Sequence, residues 1–227
     1  MSGAAIASLA SPRRFAAWVL GRGTLVTAFG CIAIAMAFST AAAYRLAATM
    51  HVEDLVFGPG RIDPVNALIG AIGVDRTSVL VYMLQRSFDA LVVASAITPL
   101  FLWILGSSAM HAAARIRRVR GHPYLPMLIL FAYAEVVYQI PTSVAGLVFG
   151  GLGGGPGPQI ATLVSLVMLV WFAAVAYRGI ELHYEVSGDR AVSIFVLGAL
   201  AFYLLPLILI VGTLVAIVLV AAYLQYF

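Results

Sequence analysis

Across 227 residues the chain is 63% hydrophobic and only 10% charged, with a mean hydropathy of +1.05. Soluble domains carry about 25% charged residues, so water cannot be the solvent for most of this surface. All 13 basic residues are arginine and the net charge is +4, yet no basic face or aromatic-and-basic pattern supports nucleic acid as a partner. The single cysteine, Cys31, excludes a disulfide framework within the chain and a CxxC metal knuckle.

The organised part opens at Ser11-Pro12-Arg13-Arg14-Phe15. Ser11 suits an N-cap and Pro12 the first helical position. Phe15, Trp18 and Val19 share a helical spacing, and Arg14 and Arg22 are placed to reach lipid headgroups. We expect residues 1–23 to hold a cytoplasmic interfacial helix, followed by a five-span membrane domain over 24–227. The first span is expected at about 24–43. A cleaved signal peptide ending near Ser39–Ala43 is the competing reading, but the apolar stretch exceeds the usual 7–15 residue core of such peptides.

Residues 44–86 form the longest polar segment. Within it, Asp63-Pro64 reads as a cap and first turn, with Val65, Leu68, Ile69 and Ile72 at helical spacing before Gly73 stops the helix. That amphipathic piece is too short to span and is expected on the membrane surface or over the helices. Asp75 or Thr77 is expected to cap the next helix, which runs on into a second span at about 88–110. The remaining spans are expected at about 124–149, 160–177 and 191–223, each long enough to cross a hydrocarbon core of about 30 Å, which needs about 20 residues of helix. Pro99, Pro141 and Pro206 fall inside them and are expected to kink them. The last apolar run is longer than one untilted crossing and shorter than two, which implies one bent, tilted helix.

Orientation follows from arginine in the connections. The N-terminal segment carries three, the second connection four (Arg115, Arg117, Arg118, Arg120), the third none and the fourth two (Arg178, Arg190). This alternation places the N-terminus in the cytoplasm and the C-terminus outside, in a membrane expected to be a prokaryotic plasma membrane. The long first connection departs from the pattern, and length weakens its vote. Trp18, Trp103, Tyr124, Trp171 and Tyr177 are expected to mark the inner interface, and Tyr44, Tyr223 and Tyr226 the outer one.

Few residues could carry chemistry. Glu135 falls near mid-membrane, where a charged group costs about 2.5–3.5 kcal/mol or more. With Tyr138 it is the intramembrane polar candidate. It could be a proton or cation site; the preferred reading is a neutral acid hydrogen-bonded to Tyr138, Tyr133, Gln139 or Ser95. His51, His111, His122 and His183 lack metal-ligand spacing and read as interfacial. Ser107, Ser108 and His111 cluster in sequence, but no acid stands ready to orient the histidine. The glycine-rich stretch 150–157 lacks the GK[ST] ending of a phosphate loop. Arg115, Arg117, Arg118 and Arg120 are the best patch for anionic lipid or a partner, and also a topology signal.

Three segments resemble one family when taken together. They are Pro12-Arg13-Arg14-Phe15 before the first span, Tyr138 with Pro141 in the third, and Gly179-Ile180-Glu181-Leu182 through Ser187-Gly188-Asp189-Arg190-Ala191 before the last. This pattern resembles the Yip family, the Ypt/Rab-interacting membrane proteins, in its prokaryotic form. The resemblance implies five spans, a scaffolding role and association among membrane proteins. It implies no catalytic residue, and the GTPase partners of eukaryotic relatives act through an extended N-terminal tail that the dozen residues before Pro12 do not match.

The fold class expected is thus all-α integral membrane, a five-transmembrane-helix bundle with short interfacial helices. The function expected is a non-catalytic scaffold or accessory subunit. Its expected partners are membrane lipids and other membrane proteins or copies of itself, and neither cofactor nor metal is implied. The alternative is a small channel or transporter component that uses Glu135.

Overall fold

In a computed structural model, residues 11–49, 52–58, 63–150 and 156–226 are described. Among them all regular structure is helical. In chain order the helices are α1 (Pro12–Arg22), α2 (Leu25–Thr49), α3 (Val52–Phe57), α4 (Asp63–Ile72), α5 (Val74–Ile116), α6 (Leu125–Phe149), α7 (Gly157–His183) and α8 (Gly188–Tyr226). Met1–Ala10, His51, Arg61, residues 151–155 of the glycine-rich connection and Phe227 lie outside the described residues, as do the side chains of Asp63, Pro64, Val65, Leu68, Tyr223 and Tyr226.

Five helices, α2, α5, α6, α7 and α8, are long and apolar enough to cross a membrane. The chain is an all-α, multi-pass membrane protein. Four of the five overrun their expected spans, while α6 matches 124–149 to within one residue. The extreme case is α5: its 43 residues rise about 65 Å at 1.5 Å per residue, roughly twice the hydrocarbon thickness. The expected loop over 178–190 is also shorter, because α7 stays helical to His183. Arg178 and Glu181 pair across one of its last turns, and only residues 184–187 separate α7 from α8.

The helix ends obey local chemistry, with two departures. Pro12 occupies the first turn of α1, and Ser11 before it is extended at φ −135°, ψ 116°. Its carbonyl accepts the Phe15 N–H at 2.9 Å, while its hydroxyl makes no capping bond. Gly23 ends α1 because nothing larger fits: a Cβ there would stand 2.6 Å from the Ile129 side chain and 2.7 Å from the Val19 carbonyl oxygen. Between α4 and α5, Gly73 adopts φ +83°, a conformation open to glycine without penalty. Its carbonyl accepts both the Thr77 N–H at 3.1 Å and the Thr77 hydroxyl at 2.8 Å. Gly73 is therefore the N-cap of α5, in place of Asp75 or Thr77.

Contacts gather the chain into two compact units. The first holds the described residues up to Ala28, Phe101–Ala134 and the described residues from Ala173 on; the second holds Phe29–Leu100 and Glu135–Phe172. The first unit has a dense core in which Phe15 and Val19 of α1, Met127 and Leu130 of α6, and Val175 and Ile180 of α7 are buried. Trp103 belongs to this core. It is 2% exposed and its indole N–H donates to the Leu128 carbonyl at 2.6 Å, so its ring packs inside the fold. In the second unit, the Gln85 side-chain oxygen accepts the Val52 N–H at 3.0 Å and so caps α3 from a neighbouring helix. Arg86 and Asp89 pair one turn apart on α5, both well exposed.

Candidate functional site

The arginine-rich turn after α5 is built by its helix end. The Arg118 N–H donates to the Arg115 carbonyl and the Val119 N–H to the Ala114 carbonyl, both at 3.0 Å. These two bonds are the Schellman pattern, which puts one residue, usually glycine, into the left-handed conformation. Here that residue is Arg118, at φ +60°, where a side chain costs about 1–2 kcal/mol.

A second element meets this turn from far along the sequence. Arg190, in the first turn of α8, donates through Nη2 to the Arg117 carbonyl at 3.0 Å. That carbonyl is one of those a helix end leaves without an internal partner, and a cation suits the negative end of the α5 dipole. Ile116, Arg117, Arg118, Asp189 and Arg190 line an open cavity of about 370 Å³. The ion pairs found among the described residues are Arg86–Asp89 and Arg178–Glu181, so Asp189 neutralises none of the three guanidiniums. Of the four arginines expected to act as a patch, Arg117 and Arg118 line the cavity; Arg115 and Arg120 are exposed beside it in sequence but not part of its lining. Arg190 and Asp189 were not expected there. The signal available was the Ser187-Gly188-Asp189-Arg190 start of α8, which names a helix beginning and not its spatial neighbour.

In the same unit several polar side chains are bonded to one another or to backbone carbonyls. The Ser107 hydroxyl donates to the Trp103 carbonyl at 2.7 Å and lies 2.8 Å from the Tyr124 hydroxyl, which Ser108 also meets at 2.9 Å. His111 Nδ1 shares a hydrogen bond of 2.8 Å with the Tyr184 hydroxyl. His183 Nε2 donates to the Pro123 carbonyl at 2.8 Å. The His122 ring packs edge-on against both His183 and Tyr184, each at 5.6 Å. Three histidines expected at separate interfacial points thus surround one tyrosine, whose phenol burial pushes above its ordinary range. No group of three or more metal-ligating side chains forms among the described residues. Ser107 and Ser108 turn to Tyr124 while His111 turns to Tyr184, so no serine–histidine pair is assembled.

Glu135 is 2% exposed, and its Oε1 has no hydrogen-bond partner among the described residues. Three of the partners expected from sequence bond elsewhere. The Tyr133 hydroxyl donates to Thr27, the Gln139 amide to Ser143, and the Ser95 hydroxyl to the Val92 carbonyl. Tyr138 packs edge-on against Phe172 at 6.0 Å. Pro99, Pro141 and Pro206 all sit inside uninterrupted helices. Set against family models, curated proteins and solved structures, the chain matches none of them.

Proposed function

We propose that the protein is a non-catalytic scaffold or accessory subunit of a membrane assembly, with its N-terminus in the cytoplasm and the arginine turn on that side. One observation carries this reading: the Ser107, Ser108, Tyr124 and Tyr184 hydroxyls and the His111 and His183 imidazoles in the first unit are committed to protein partners. Ser107, Ser108 and Tyr124 satisfy each other, His111 holds Tyr184, and His183 holds a backbone carbonyl. Groups bound in this way fix helix ends against one another, and neither Ser107 nor Ser108 meets a histidine, the contact that serine-based acyl transfer requires. Kinship with the Yip family is part of the proposal and rests on the three quoted segments.

Purification in mild detergent after cross-linking in membranes tests this. A discrete membrane protein, or a second copy of the chain, is expected in near-stoichiometric yield. Recovery of the uncross-linked chain alone, at native abundance, overturns the proposal.

A second reading is favoured by Glu135. A buried carboxyl oxygen with no donor is an unusual thing to keep inside a membrane, and it supports a proton or cation site in a small channel or transporter component. Measurement of flux decides between the two.

A further inference from the structure

We infer that the cavity between the C-terminus of α5 and the N-terminus of α8 is a binding site for the phosphate group of an anionic ligand. This does not rest on the scaffold reading, since a transporter component could carry the same site. Three arginines, Arg117, Arg118 and Arg190, line it together with a single acidic residue, Asp189. Arginine is the side chain whose planar fork of donors matches phosphate oxygens two at a time. Arg190 arrives already oriented, because one Nη2 bond to the Arg117 carbonyl holds its guanidinium and leaves other donors unused. Neither Arg117 nor Arg118 has a side-chain partner among the described residues.

The backbone adds an independent observation. Arg118 occupies the left-handed position of the α5 cap, where glycine would be favoured and where the neighbouring turn at Gly121 does use glycine. The side chain is kept there against the local preference, and it lines the cavity. Asp189 and Arg190 belong to the first turn of α8, and a helix start in general leaves backbone N–H groups without internal partners, as in sites that hold phosphate. Asp189 lowers the net charge of the lining to +2 and sets an upper limit on affinity. By its arginine content this turn is expected at the cytoplasmic headgroup interface. The phosphate can therefore belong to a lipid headgroup or to a soluble molecule.

The test uses the full chain in nanodiscs, with two probes. Phosphatidylglycerol is introduced into phosphatidylcholine discs and its retention is counted by native mass spectrometry; inorganic phosphate is titrated into discs of phosphatidylcholine alone and followed calorimetrically. Saturable uptake of either probe is expected, and which one binds assigns the source as lipid or soluble. Arg118→Gly, which suits the backbone, should weaken that binding roughly tenfold, as loss of one charge-assisted contact does. Asp189→Asn should strengthen it. Arg13→Gln, on α1 and absent from the cavity lining, should leave it unchanged. The inference is overturned if neither probe saturates, if Arg118→Gly binds like the wild type, or if Arg13→Gln weakens binding as much.

Discussion

Gly179 gives a packing prediction whose size can be worked out. A Cβ at this position of α7 would stand 2.1 Å from Leu130 Cδ2, and Leu130 itself is wholly buried, with the Met127 sulfur 4.0 Å from the same point. Carbon atoms rest at about 3.5–4.0 Å, so the leucine methyl must retreat by about 1.5 Å into filled space. Overpacking of this kind costs about 1–3 kcal/mol. Alanine recovers about 0.5–1 kcal/mol through its better helix propensity, leaving a net loss of about 1–2 kcal/mol. Gly146 in α6 is the matched control, because a Cβ there meets nothing within 4 Å; Gly146→Ala should gain about 0.5–1 kcal/mol. In thermal unfolding in detergent, each 1 kcal/mol moves the midpoint of a chain this size by about 2–4 °C. Gly179→Ala should therefore fall by about 2–8 °C while Gly146→Ala rises. Leu130→Ala should make Gly179→Ala cheaper, so that the double variant loses less than the two singles together. Equal shifts of one sign for Gly179→Ala and Gly146→Ala would refute the close approach of α7 to Leu130.

Tyr124→Phe removes the hydroxyl shared by Ser107 and Ser108 and should lower stability by about 1–2 kcal/mol; an unchanged unfolding midpoint would mean that these bonds add nothing. Arg118→Gly should keep or raise stability by up to about 1 kcal/mol and Arg118→Val should lower it, because only glycine is free of the left-handed penalty; both can be read in the same melt. For topology, a reporter fused after Phe227 should be active only when exported, while labels placed over Arg115–Arg120 should react from the cytoplasm alone. Finding both on one side would refute the orientation.

Much of this fold can be read from the chain because apolar runs of helical length have few alternatives in lipid. The starts at Pro12 and Gly73 are likewise local, since each depends on backbone chemistry within a few residues. What could not be read is which face of each span meets which neighbour. The spans are apolar on all sides, so periodicity does not mark a buried stripe, and it does not mark Trp103 as a core residue. The gathering of His111, His122 and His183 around Tyr184 joins positions 73 residues apart, and no spacing rule carries across that distance. The same holds for Arg190, whose guanidinium completes the α5 end only once the two helix termini are brought together. Glu135 was legible as an anomaly, but its missing partner was not. Four nearby donors were available in sequence, and the three whose hydrogen bonds are described turn to Thr27, Ser143 and Val92 instead.

Proton and cation flux in proteoliposomes, compared between the wild type and Glu135→Gln, tests the scaffold assignment most directly. The substitution keeps size and hydrogen-bonding capacity and removes only the ionisable proton, so both proteins should unfold at closely similar temperatures. A scaffold carries no flux: wild-type vesicles should match protein-free ones, and Glu135→Gln should change nothing. Flux through the wild type that Glu135→Gln abolishes, with the fold intact, would contradict the assignment and make Glu135 the ion or proton site.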